Sequence, residues 1–163
     1  MYKKIFKLIQ HTPIIHFQPD QIGAVLRASD VKPRLDRFVI EKLGGEKEVR
    51  KQHPDWFISN DSIALNYKMR IEDKDSTPLS SRSFDKIKLI TEEIKDKKAI
   101  AKSDVLITIF SFYDDLIKII LDHVPLFFLA NNFGTRQTKA WGCYYHESHD
   151  KWEKVIKDLK KLV

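Results

Sequence analysis

From Ser62 to Glu72 the chain alternates without a break, with Ile63, Leu65, Tyr67, Met69 and Ile71 on one side and Ser62, Ala64, Asn66, Lys68, Arg70 and Glu72 on the other. A period of two is the mark of a strand with one apolar and one polar face. A strand of this kind cannot bury its apolar face alone, so the rest of the chain has to supply neighbouring strands and a covering layer.

Candidates for both lie around it. Lys3 to Phe17, rich in Ile and Phe, predicts an opening strand interrupted at Thr12-Pro13 and resumed at Ile14-Ile15-His16-Phe17. Pro19, Asp20 and Gly23 make a loop. A helix follows in which Leu35, Phe38, Val39 and Leu43 share one side, Pro33 takes an early position and Gly44-Gly45 ends the element. Glu46 to Asn60 is charged and broken by Pro54, with Trp56-Phe57 as a local anchor.

After the alternating strand, Asp73 to Ser83 reads as a polar loop and Phe84 to Ile90 as a further strand. Lys86, Lys88, Lys95, Lys97, Lys98 and Lys102 are interspersed with acids and read as a solvated face. Val105 to Phe110 predicts a buried strand. Leu116, Ile117, Ile120, Leu121 and Val124 follow at helical spacing, and Pro125 is expected to close that helix. Cys143 to His146 resumes as a strand, and Trp152, Val155, Ile156, Leu159 and Leu162 form the stripe of a terminal helix opened by Asp150 and Glu153. This order fits an α+β, ferredoxin-like (RRM-like) sandwich with an added strand and a C-terminal helix. A single domain over residues 1–163 is expected.

Function is sought first where backbone freedom and cations coincide. Asn131-Asn132-Phe133-Gly134-Thr135-Arg136-Gln137-Thr138-Lys139-Ala140-Trp141-Gly142 lies between an apolar run and a short aromatic strand. Gly134 and Gly142 permit a curled path, and Arg136, Thr138 and Lys139 supply donors for an anion such as phosphate. The G-x-x-x-x-G-K-[ST] order of a nucleotide-binding loop is absent. A net charge of +6 favours a polyanionic partner. Trp141, Tyr144 and Tyr145 adjoin the loop, and rings of this kind stack on unpaired bases. Strand alternation sends the two tyrosines to opposite faces, so Trp141 is the candidate stacking residue.

Other chemistry finds less support. The single cysteine, Cys143, excludes an internal disulfide or a thiolate cluster, and the six histidines lack metal-binding spacing, so neither metal nor cofactor is expected. His146 with His149, and Asp20 with Asp114-Asp115, are better explained as strand, loop and helix-start residues. Metal-independent RNA cleavage needs a base, an acid and a cation; His11, His16 and His123, assisted by Tyr2, Arg27, Arg136 or Lys139, are the available groups. No apolar stretch reaches membrane-helix length, and a cytoplasmic location with no membrane partner is the expectation.

Two stretches resemble the RAMP superfamily of CRISPR-associated proteins. One is Phe133-Gly134-Thr135-Arg136 through Lys139-Ala140-Trp141-Gly142, which is similar to the glycine-rich loop before the last core strand in that family. The other, Thr12-Pro13-Ile14 followed by Leu26-Arg27-Ala28-Ser29-Asp30-Val31-Lys32-Pro33-Arg34-Leu35-Asp36-Arg37-Phe38, resembles one module of the large RAMP subunit of Cmr-type effector complexes. The resemblance implies a ferredoxin-like fold and a role in an antiviral ribonucleoprotein. Its implied partners are guide or single-stranded RNA and other effector subunits. It assigns RNA-backbone contacts to Arg136 and Lys139, and further ones to Arg27, Lys32 and Arg34. A non-catalytic RNA-binding component, a metal-independent endoribonuclease processing CRISPR RNA, and a structural assembly subunit all stay open, as does the homo-oligomeric state.

Overall fold

A computed structural model describes residues 1–12, 14, 26–73, 77–78, 100–102, 104–134, 137–149 and 160. The elements are β1 (Tyr2–Gln10), α1 (Ala28–Lys42), α2 (Glu46–Gln52), β2 (Lys68–Asp73), β3 (Thr77–Pro78), β4 (Ile100–Lys102), β5 (Asp104–Ser111), α3 (Asp114–Ala130) and β6 (Tyr144–His146). Single 3₁₀ turns lie at Pro54–Trp56, Gln137–Lys139 and Glu147–His149.

Four strands form one antiparallel sheet in the order β2-β5-β1-β6. Strand β1 is central because Phe6, Leu8 and Gln10 alternate with half-buried or exposed neighbours, which gives it one apolar face across its C-terminal half. On β5 the matching residues are Val105, Ile107 and Ile109, all fully buried. The register pairs Phe6 with Ile107 and Leu8 with Val105, so one sheet face is continuously apolar. Helices α1 and α3 cover that face, through Val31, Leu35, Val39 and Ile40 on the first and Leu116, Ile117, Ile120, Val124, Phe127 and Phe128 on the second. Full burial of side chains of this size contributes roughly 1.5–3 kcal/mol each. The helices connect β1 to β2 and β5 to β6 across the sheet, and this is the expected ferredoxin-like α+β sandwich. The pair β3-β4 forms a separate two-stranded sheet between β2 and β5 in the chain.

Several local expectations are corrected. Pro125 does not close α3, which continues to Ala130. The bond that proline forgoes is offset by Leu126, Phe127 and Phe128, which bury beyond it. The charged stretch after Gly45 contains helix α2, with Arg50 paired to Glu46 at 2.8 Å. Only the second half of the alternating segment is a ladder strand. Before Lys68, Leu65 and Tyr67 are buried as the alternation requires, but Leu65 pairs with Phe57 in an isolated bridge and Asn66 N donates to Trp56 O. Strand β1 ends at Gln10 and Ile14 is a buried bridge residue; the rest of the predicted resumed strand, Ile15-His16-Phe17, lies outside the described residues. The predicted strand at Phe84 to Ile90, His16, Asp20 and the stripe from Trp152 to Leu162 lie outside the described residues. No described helix is long and apolar enough to cross a membrane.

Candidate nucleic-acid interface

The loop between α3 and β6 is built on a pinned base. Phe133 is buried against Phe127, Phe128 and Tyr144, and its N–H donates to Gly142 O at 2.9 Å. Asn132 and Cys143 form a bridge one step further out. Gly142 sits at φ +67°, and a Cβ there would lie 1.8 Å from Phe133 O, so only glycine lets the two sides of the loop meet. Ala140 also has positive φ, at +59°, which marks the sharpness of the return.

Arg34 on α1 fixes the entry side. Its Nη1 donates to Asn132 O at 2.9 Å and to Gln137 Oε1 at 3.4 Å, and its Nη2 donates to Asn131 Oδ1 at 2.9 Å. The guanidinium lies 4.7 Å from the centre of the Phe133 ring. Burial draws its pKa down, with Asp30 opposing, yet an arginine stays cationic at neutral pH. Within the loop, Asn132 Nδ2 donates to Gln137 O and Gln137 Nε2 to Gly134 O. Thr12 fixes the exit side: its Oγ1 donates to Ala140 O at 2.7 Å and accepts from Cys143 N at 2.9 Å.

The predicted site residues therefore separate into two groups. Gly134, Thr138, Lys139, Trp141 and Gly142 share the loop; Thr138 is exposed in the 3₁₀ turn that Lys139 ends, and Trp141 is half-buried. Arg136 lies outside the described residues. Arg27 is half-buried just before α1, its carbonyl accepting from Asp30 N and Val31 N. Lys32 faces inward on α1, with Nζ 2.7 Å from Asp36 Oδ2, donating to Leu65 O at 3.0 Å and lying 4.2 Å from the Tyr67 ring centre. It clamps the segment before β2 onto α1. Thr12, Asn131, Asn132 and Gln137, which brace the loop, were not singled out in the sequence; the Asn-Asn pair directly after an apolar helix was the available signal.

The described histidines, acids and thiol are dispersed or engaged. His123 Nδ1 meets Ile119 O at 2.8 Å within α3, and exposed His11 packs edge-on against Tyr145. His146 Nδ1 meets Ser148 Oγ at 2.8 Å, and burial lowers the imidazole pKa. Asp114 pairs with Lys118 and Asp115 accepts from Trp56 Nε1. Burial raises the Cys143 thiol pKa, which disfavours the nucleophilic thiolate. Tyr144 is buried and Tyr145 half-buried, the opposed orientation that alternation predicts. Among the described residues no cluster of three or more metal-ligating side chains occurs.

A four-stranded antiparallel sheet, two helices on one face and a braced glycine loop entering the last strand together define a ferredoxin-like module of the RAMP kind. The sequence profile of the Cmr1 N-terminal domain matches residues 1–163, and the chain belongs to that family. The crystal structure of Cmr1 from Pyrococcus furiosus in its apo form is similar with a TM-score of 0.58 at 13% identity, over 90% of this chain and 50% of that one. The cryo-EM structure of the Type III-B Cmr-beta bound to cognate target RNA is similar with a TM-score of 0.51 at 14% identity, over 89% of this chain and 59% of that one. The chain thus spans little more than half the length of these solved structures. A search of the curated proteins finds no match.

Proposed function

We propose that this chain is an RNA-binding subunit module of a CRISPR-associated effector complex, working in the cytoplasm alongside other Cmr subunits. Its RNA-gripping element is the loop from Asn131 to Gly142. The observation that carries the reading is the bracing of that loop from three sides, by Arg34, by the Phe133–Gly142 pair and by Thr12, which leaves Thr138 exposed on a fixed turn. A turn held this way presents the Thr138 hydroxyl to a phosphate with little ordering cost at binding. In this reading Arg136 and Lys139 grip the backbone of guide or single-stranded RNA, Trp141 packs beside it, and Arg27 extends the contact at the start of α1. Lys32 and Arg34 act through position, since their charged groups are engaged within the chain. Family membership, the likeness to a complex bound to target RNA and the charge of +6 support it.

The test is RNA binding by Arg136→Ala/Lys139→Ala across a salt series, with thermal melts run in parallel. Two lost phosphate contacts flatten the slope of log K against log salt by about 1.4 for a single strand. Unchanged affinity and slope would count against the loop and favour a purely structural subunit.

A further inference from the structure

The sheet face turned away from α1 and α3 is ordered by the same register that builds the core. Cross-strand partners share a face, so three rows run across β2, β5 and β1: Lys68, Phe110 and Lys3; Arg70, Thr108 and Ile5; Glu72, Leu106 and Lys7. Phe110 thus lies between two lysines at about 5 Å to either side. Phe112, two residues on, is 75% exposed; in the second row Ile5 is exposed but Thr108 is buried, so the open part of the face is the end that carries the first row. A shallow groove beside the first row is lined by Met1, Asn66, Lys68, Phe110 and Phe112.

Among the described residues the charges of this face are unbalanced. Glu72 is held by Arg70 at 3.0 Å, and the carboxylates past Phe112 are committed to Lys118 and Trp56. Among the described residues neither Lys3 nor Lys68 has an ion-pair partner. Phe112 lies just past the end of β5 and lines one groove with Phe110 and Lys68, and two rings beside ammonium groups that have no ion-pair partner among the described residues suit splayed bases with their phosphates. A protein partner is a poorer fit, since the cores of protein interfaces are depleted in lysine. A duplex is poorer still, because its bases already stack on one another.

We infer that this outward sheet face is a second RNA-contact surface, on which Phe112 and Phe110 stack unpaired bases while Lys3 and Lys68 hold the intervening phosphates. The inference takes its ligand class from the RNA-binding reading above but rests on a different surface.

The experiment is fluorescence anisotropy of the full chain with labelled oligouridine and with a blunt duplex RNA. Phe112→Ala is expected to weaken oligouridine binding about tenfold, to leave the salt slope and the duplex affinity unchanged, and to be rescued by Phe112→Trp. Lys3→Ala/Lys68→Ala is expected to flatten the slope by about 1.4. Phe112 is exposed, so its variants fold. If both sets bind oligouridine as the parent does, the face is not an RNA surface. Loss in Arg136→Ala/Lys139→Ala with none in the face variants overturns this inference alone, whereas a parent chain that binds no RNA overturns both readings. Phe112→Ala that keeps its RNA affinity but no longer joins a purified Cmr complex marks a protein interface and also overturns it.

Discussion

Asp36 shows how one side chain is made to serve two segments. It is buried on α1, yet its Oδ2 accepts from Lys32 Nζ and from Leu65 N, so the segment before β2 is docked by charge as well as by packing. Burial outweighs the attraction of Lys32 and raises the carboxyl pKa above the ordinary 3.8. The folded state therefore holds the proton more tightly than the unfolded chain, and stability falls as pH rises from the unfolded value through the raised one. Urea titrations from pH 4 upward are expected to show this slope in the parent and to lose it in Asp36→Asn; equal slopes would exclude Asp36 as the source. Arg34 makes the complementary case. Lys has neither the fork nor the planarity to reach two loop acceptors and lie against Phe133 at once. Arg34→Lys is expected to lower stability by about 1–3 kcal/mol and to weaken RNA binding while leaving the salt slope unchanged, since no phosphate contact is removed. A reduced slope would show that Arg34 touches RNA directly. None of these partners was legible in the sequence, because a basic residue on a helix carries no mark of whether its donors turn to a carbonyl or to solvent.

At the scale of elements, pattern was informative wherever burial alone chose the conformation. Val105 to Phe110 and the stripe at Leu35, Phe38, Val39 and Leu43 announced β5 and α1, and Gly44-Gly45 marked the end of α1. Pattern failed where one signal had two solutions. The alternation from Ser62 to Glu72 picked out Leu65 and Tyr67 as buried, but Ile63 on the same side is exposed, and backbone pairing in the first half goes to Trp56 and Ile58 rather than to a ladder. Pro125 misled for a related reason: local propensity marks it as a terminator, and only the aromatic packing beyond it reveals that the helix continues. Since the helix is held by that packing, Pro125→Ala is expected to leave its far-UV circular dichroism unchanged while raising stability by about 1 kcal/mol or more. A gain of helical signal in the variant would show that proline does limit the helix. The candidate loop was legible as composition, in its glycines and cations, but its bracing by Thr12 and Arg34 depends on contacts distant in sequence.

For the whole molecule, the central position of β1 carries a consequence for biosynthesis. This strand is flanked on both sides by strands made much later than itself: its partner on one side begins at Asp104, and the one on the other at Tyr144. Until those residues leave the ribosome, β1 is an open edge with Ile5, Phe6, Leu8 and Ile9 unpaired, able to recruit the wrong strand. Pairings of such sequence separation also close slowly, because the chain entropy is lost before the contacts form. Lys3, Lys4 and Lys7, placed among those apolar residues, set like charges against any second copy of the nascent strand and so guard it until its partners are made.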